Sequence, residues 1–579
     1  MRFLKVIVII CFLLSSQLYA QLKKEYYDLE QTKLKSEIDY YKGMPHGTFF
    51  DYYESGKLSR KGYYDYGKED SVWYFYYEDG SLKALERFLK GKKWGTNVYR
   101  YKNGKIAQIT KFVDDKPDST WVAYYENGKL KSSENFVNGK KEGEWNYYYD
   151  NGQIESKGSF ENDKKEGRVF LYYKDGKMKG TRNYCADTPC GNWTEVWPNN
   201  KPKFDQSYKD SILYLVNLWD ENGKQLVTNG DGSVTATYDN GIIKAMGSYK
   251  GGLQNGIWRY FHPNGELDYE AVFKNGMLNG YYSSYYSNHK IKSEGNFTDN
   301  KKNGYWKFHY QDGTMEMEGP LKDGSREGVW KYYYTSGTLE SKGNFSDNLR
   351  NGDWEFFYKT GEKWRKGNYV NDVREGLWTT WFENGKKLQE GNFSKGKENG
   401  LWTSWWNNGN KKDEGTFTMG VITGLWQGWF PNQKQNYKGN YNKKGNKDGK
   451  WEYWFDSGSP REVTNFVNGI KHGKHIEWHL KGNFVDTKGK YKKGKQTGKW
   501  EYYYPTGVLN KIQTFKDGKL DGKCYSYYPN NKIQSVTSYK VIKDNLKGKV
   551  QSVAHGDWFF YDKSGKEISR ISYENGKRK

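Results

Sequence analysis

Short runs in which apolar and polar side chains alternate fill most of this chain, and the same run keeps returning. Gly143-Glu-Trp-Asn-Tyr-Tyr-Tyr-Asp-Asn-Gly152 places rings at Trp145, Tyr147 and Tyr149, on every second position. Gly376-Leu-Trp-Thr-Thr-Trp-Phe-Glu-Asn-Gly385 and Gly400-Leu-Trp-Thr-Ser-Trp-Trp-Asn-Asn-Gly409 repeat the arrangement. A period of two predicts a β-strand whose two faces differ. Each run closes on Asn-Gly or a relative and is followed by a second β-prone run, so the local unit is a β-hairpin with a two-residue turn.

The opening position of the unit, usually glycine, falls at 47, 71, 95, 119, 143, 167 and 191, then at 256, 280, 304, 328, 352, 376, 400 and 424. Every step within each run is 24 residues. Later openings at 449, 473, 498, 522 and 556 slip by single residues, apart from a longer insertion near Val541 to Ala554. The linkers between units are short, so successive hairpins should pair with one another. The chain thus reads as all-β, an elongated, twisted, single-layer antiparallel meander of about twenty tandem 24-residue β-hairpin repeats. Some forty strands about 4.8 Å apart would extend on the order of 190 Å, winding by about −20° per strand.

The strand register follows from the turn. With Asn151-Gly152 at its centre, opposed residues sum to 303, so Tyr149 faces Ile154, Tyr147 faces Ser156, Trp145 faces Gly158 and Gly143 faces Phe160. The same arithmetic sets Trp378 opposite Gly391 and Trp402 opposite Gly415. Rings laid over glycine pin sheet register, which makes these residues framework. The other face of each first strand is mostly polar, but carries an aromatic or histidine once per unit: Tyr124, Tyr148, Tyr172, Tyr285, His309, Tyr333, Phe357, Trp381, Trp405, Trp429 and Trp454. Successive members would stand roughly 9.5 Å apart. Such a stripe either covers the back of the sheet or forms a linear binding surface, of which Tyr148, Tyr333, Phe357, Trp381, Trp405, Trp429 and Trp454 are the candidate residues.

Segments such as YYENGKLKSSENFVNGKKEGEW, residues 124–145, resemble the MORN repeat (membrane occupation and recognition nexus) in its bacterial variant form, and the likeness runs from about residue 40 to 579. The resemblance implies an elongated hairpin array used for scaffolding, in some relatives in contact with membranes. Bacterial relatives are often labelled antitoxins.

Composition refines the picture at three points. The first residues, MRFLKVIVIICFLLSSQLYA, read as a cleaved signal peptide over 1–20, an apolar run too short to span a bilayer comfortably. Residues 21–39 are then a lead-in, 40–197 a first array segment, 198–245 an irregular insertion where the period breaks, and 246–579 a second segment. An exported chain, whether periplasmic, cell-surface or secreted, would not meet a cytoplasmic toxin, which weighs against the antitoxin label. Lysine and arginine exceed aspartate and glutamate by 93 − 70 = 23, but most lysines sit in turns such as NGKKEG (138–143) beside acidic residues. Nucleic acid is therefore not an expected partner.

Candidate chemistry is sparse. Cys185 and Cys190 fall at opposite ends of one turn, which in an exported protein suits a disulfide; two free thiols are the other reading. Cys524 occupies a framework tryptophan slot. His472, His475 and His479 cluster in HGKHIEWHL, yet on a strand His475 and His479 are roughly 13 Å apart, too far to share one metal ion. Asp231 lies in a small-residue run without the repeated acidic ligands of a calcium loop. No catalytic order of residues stands clear of the repeat, so neither a catalytic site nor a cofactor or metal is expected. The expected function is that of a non-catalytic exported scaffold contacting protein or cell-envelope polymer, with binding to an anionic membrane surface as the alternative.

Overall fold

The structure, a computed structural model, describes residues 21–480, 483–543 and 550–579. The export signal read at 1–20 lies outside them. The chain divides into two compact units, one comprising residues up to 266 with 270–277, the other 267–269 with 278–579. The division falls at 266–278. Among the described residues there are 52 strands and no helix. Within each unit the strands follow one another in an open antiparallel sheet, as in Lys140–Tyr148, Ile154–Glu161 and Lys164–Tyr172.

The turn at Asn-Gly is longer than the two-residue turn expected there. At Asn151-Gly152 the Gly152 N–H donates to the Tyr149 carbonyl and the Tyr149 N–H to the Gln153 carbonyl. Gly152, at φ +90°, is the only left-handed residue of this turn, a three-residue loop ending in a glycine bulge. The two-residue turns with two left-handed positions lie at the other junctions, as at Asn138-Gly139 and Asn162-Asp163. Asn and Gly suit either geometry, which is why the dipeptide alone misplaced them.

The register shows the consequence. Tyr148, not Tyr149, opposes Ile154; a bulge then restores the expected pairs Tyr147 with Ser156, Trp145 with Gly158 and Gly143 with Phe160. The longer turn and the bulge cancel. Tyr149 instead sends its hydroxyl to the Tyr172 carbonyl at 2.9 Å. Tyr125 and Tyr334 reach Tyr148 and Phe357 in the same way, stitching each hairpin to the next.

The first face holds the core. Trp378 pairs with Gly391 and Trp402 with Gly415, but the glycine each ring covers belongs to the preceding hairpin. A Cβ on Gly367 would fall 2.1 Å from Trp378, and one on Gly391 2.2 Å from Trp402. Each tryptophan has a glycine partner on both sides; the ring leans back because its N–H reaches the carbonyl ten residues earlier, Asn368 for Trp378 and Asn392 for Trp402. Trp145, which has Glu134 behind it, touches Gly158 instead. Phe393 and Phe417 wedge edge-on between successive tryptophans. The opening glycines serve a different need: Gly376 has φ +68° at the register shift that starts its hairpin.

Residues 198–245 keep the antiparallel pairing through a shortened hairpin, in which the strand Gln225–Thr228 has four residues. Asp231 accepts the Gly251 N–H at 2.6 Å, the role Glu142 and Glu166 play at their turns. Cys185 and Cys190 are disulfide-bonded across the turn at Ala186-Asp187, with Cα atoms 5.9 Å apart. Closing so short a loop should contribute about 2 kcal/mol. Cys185→Ser with Cys190→Ser is expected to lower the first unit's stability by that amount and to leave the second unit's transition in place, as checked by urea unfolding.

Candidate functional site

In the second unit the second face of the sheet is organised in three rows that run across the strands. One edge row contains Tyr281, Tyr305, Val329, Leu377, Leu401 and Leu425, each an exposed apolar or aromatic side chain. Leu377 and Leu401 leave 55% and 57% of their surface open. In the first unit the corresponding positions are largely polar: Thr48, Thr96, Thr120, Glu144, Arg168 and Asn192. This row was not anticipated, because the alternation assigns these positions to the mostly polar face. Its signal was the repeated Gly-Leu-Trp at 376, 400 and 424.

From Thr379 to Glu414 the middle row alternates hydroxyl and carboxylate groups. Thr379 opposes Glu390, and Thr403 opposes Glu414. Burial would raise the Glu390 carboxyl, but hydrogen bonds from Lys387 and Thr379 outweigh it and hold the group below the usual carboxylate range. The Glu414 carboxyl is lowered first by Lys411. Glu501, further along, is held down to about 2: burial pushes it up, and bonds from Lys488, Lys499 and Tyr503 overcome that. Carboxylates depressed in the folded state stabilise it above their unfolded value, near 4.3, and that stability is lost as pH falls toward about 2. The second unit should therefore melt at lower temperature between pH 4 and pH 2.5 than at pH 7. Glu501→Gln should flatten part of that slope while costing roughly 0.2–1 kcal/mol at pH 7, as read by thermal melts.

The other edge row is the stripe. Trp381 opposes Lys387, Trp405 opposes Lys411, Trp429 opposes Gln435 and Trp454 opposes Pro460. The ammonium groups lie over rings one hairpin further on: Lys363 over Trp381 at 5.8 Å, Lys387 over Trp405 at 5.5 Å and Lys411 over Trp429 at 5.3 Å. The rings are half-buried. Phe357 opposes Lys363. Tyr333 differs, since its hydroxyl donates to Glu318 at 2.7 Å and burial together with that carboxylate raises its pKa. Tyr148 lies in the first unit, opposite Ile154. The stripe therefore varies along the chain: Tyr333 is tied to Glu318, whereas Trp381, Trp405 and Trp429 alternate with lysines.

The histidines are engaged separately. His475 is buried in the framework row, His479 lies 3.0 Å from the Tyr503 carbonyl and His472 accepts the Lys493 N–H. Cys524 is a buried free thiol in the same framework row. A cleft of about 570 Å³ lies in the first unit beside the shortened hairpin and is lined by Asn192, Asp205, Ser207, Lys209 and Gly230 among others.

Fold and repeat together define a tandem β-hairpin repeat protein. Ten segments match the MORN repeat variant: 45–66, 117–138, 141–162, 165–186, 254–275, 326–347, 350–371, 374–395, 496–517 and 520–540. The chain is a MORN-repeat protein. No curated protein matches it. Among solved structures it is similar to a TcdB2-TccC3-TEV chain at 10% identity, covering 95% of this chain and 32% of that one, with a TM-score of 0.12. It is likewise similar to a TcdB2-TccC3-Cdc42 chain at 11% identity, covering 96% and 33%, with a TM-score of 0.12. A chain of the Photorhabdus luminescens Tc holotoxin pore gives 10% identity, 96% and 35% coverage and a TM-score of 0.11. This chain spans about a third of those chains, and likenesses of that kind carry no functional argument.

Proposed function

We propose that this chain is a non-catalytic, exported scaffold that binds protein or cell-envelope polymer along the second face of its second unit. The observation that supports this most is the exposed row Leu377, Leu401 and Leu425, running parallel to the lysine-flanked stripe Trp381, Trp405 and Trp429. Regularly spaced exposed apolar side chains set among polar ones, here Asn392 and Thr416 opposite Leu377 and Leu401, suit an interaction surface, and aromatic anchors dominate the energetics of such surfaces. Between the rows, Thr379, Glu390, Thr403 and Glu414 offer hydrogen-bond partners to a polar ligand.

Adhesion to an anionic membrane through the lysine-rich turns is less well supported. Lys105, Lys129 and Lys386 spend their ammonium groups on carbonyls of the next turn, at 2.8, 2.7 and 2.8 Å. The two readings separate in a co-sedimentation test. The full chain should sediment with isolated envelope protein or polymer and tolerate moderate salt. Retention on anionic vesicles alone, abolished by salt and unaffected by Trp381→Ala with Trp405→Ala, would replace this proposal with the membrane reading.

A further inference from the structure

Between Trp378 and Trp500 one position in the framework row departs from its neighbours in a coordinated way. The row runs Trp378, Trp402, Trp426, Trp451, His475, Trp500, and the strand behind each ring supplies Gly367, Gly391, Gly415 and Gly439 in turn, but Thr464 behind His475. Tryptophan and glycine have thus been exchanged together for histidine and threonine. Both replacements are buried, with His475 at 2% and Thr464 at 0% exposure, and Nδ1 of His475 lies 3.2 Å from the Thr464 hydroxyl. Another buried polar pair in this row, Asn97 with Thr110, lies in the first unit; what sets His475 apart is the pair of carboxylates beside it.

The next pair along the same face is also unusual. Glu462 and Glu477 are direct cross-strand partners. The equivalent pairs in neighbouring hairpins are Arg365 with Thr380, Gln389 with Ser404 and Tyr437 with Tyr453. Like charges directly opposed on a sheet are destabilising unless a positive group stands between them. Oε1 of Glu462 is 3.7 Å from Nδ1 of His475, and Oε1 of Glu477 is 3.3 Å from Nε2. One donor atom from each of the three residues lies within 4.8 Å of the others, and among the described residues this is the group of acid and histidine donors that converges. His472 and His479 do not join it. Lys471, 3.3 Å from Glu462, is the nearest other cation.

We infer that Glu462, His475 and Glu477 form a site for a divalent transition-metal ion of the zinc class. One imidazole nitrogen and two carboxylate oxygens are a ligand set zinc accepts, with a fourth position left for water. Tetrahedral ligands held at about 2.0–2.2 Å stand roughly 3.4 Å apart; Glu477 already lies near that distance from Nε2, whereas Glu462 flanks Nδ1 and must leave Lys471 and swing round the ring to complete the set. The buried histidine fixes one ligand, and the half-exposed Glu477 provides the entry side. The site stands on the first face and does not depend on the proposed binding function.

The test is a titration of the chelator-treated full chain with zinc chloride by calorimetry, with thermal melting alongside. One equivalent should bind per chain and raise the melting temperature of the second unit. Glu477→Gln should weaken binding at least tenfold. Thr464→Gly with His475→Trp, which restores the pattern of the neighbouring repeats and so keeps the fold, should abolish it. His472→Gln with His479→Gln should leave it unchanged. Absence of stoichiometric binding by the parent chain would overturn the inference, as would binding that survives both site variants.

Discussion

Gly391→Val should lower the stability of the second unit by about 1–3 kcal/mol or more. The cause is steric. A Cβ at 391 would lie 2.2 Å from the ring of Trp402, inside any real contact, so the indole must leave its seat and give up its bond to the Asn392 carbonyl. Phe393 and Phe417, packed edge-on against Trp402 at 5.2 and 6.0 Å, lose their wedge with it. Gly376→Ala provides the contrast. Nothing lies near its would-be Cβ, but its φ of +68° is left-handed, so the cost there is conformational, about 1–2 kcal/mol. Trp402→Ala should therefore relieve much of the Gly391→Val penalty and none of the Gly376→Ala penalty, a distinction a double-mutant cycle reads directly. Because each hairpin contacts mainly its neighbours, the loss should show in urea unfolding as an early transition of the flanking repeats.

The triple change Trp381→Ala, Trp405→Ala and Trp429→Ala should leave the fold almost untouched and remove most of the binding. These rings stand on the face opposite the core, flanked by Lys363, Lys387 and Lys411. Aromatic anchors of an interface typically contribute about 1–2 kcal/mol each, so losing three should weaken binding well beyond tenfold. Changing Trp378, Trp402 and Trp426 instead would unfold the array, because those indoles are the core. The two sets alternate along the same strands, which makes the comparison a sharp separation of framework from function.

Much of the framework was legible from spacing. Hairpins, antiparallel order and the pairs Trp145 with Gly158 and Trp378 with Gly391 follow from a period of two and a fixed turn, and the family resemblance agrees with them. The turn class was not legible, since Asn-Gly fits both a two-residue turn and a glycine-bulged one, and only the bulge near Glu155 kept the register intact. Which glycine a ring covers depends on the lean of the side chain, a matter of geometry that pairing arithmetic does not contain. The row Leu377, Leu401 and Leu425 was overlooked because alternation assigned it to a polar face. The convergence of Glu462 with His475 and Glu477 was hidden because Glu462 comes from another strand, while the nearby histidines drew attention along a single one.

The most direct test of the proposed function is equilibrium binding of the labelled full chain to isolated cell-envelope fractions, compared with the Trp381→Ala, Trp405→Ala, Trp429→Ala variant after both show the same melting temperature. Saturable binding by the parent chain, weakened at least tenfold in the variant, is the expected result. Equal binding by the two proteins would contradict a role for the second face.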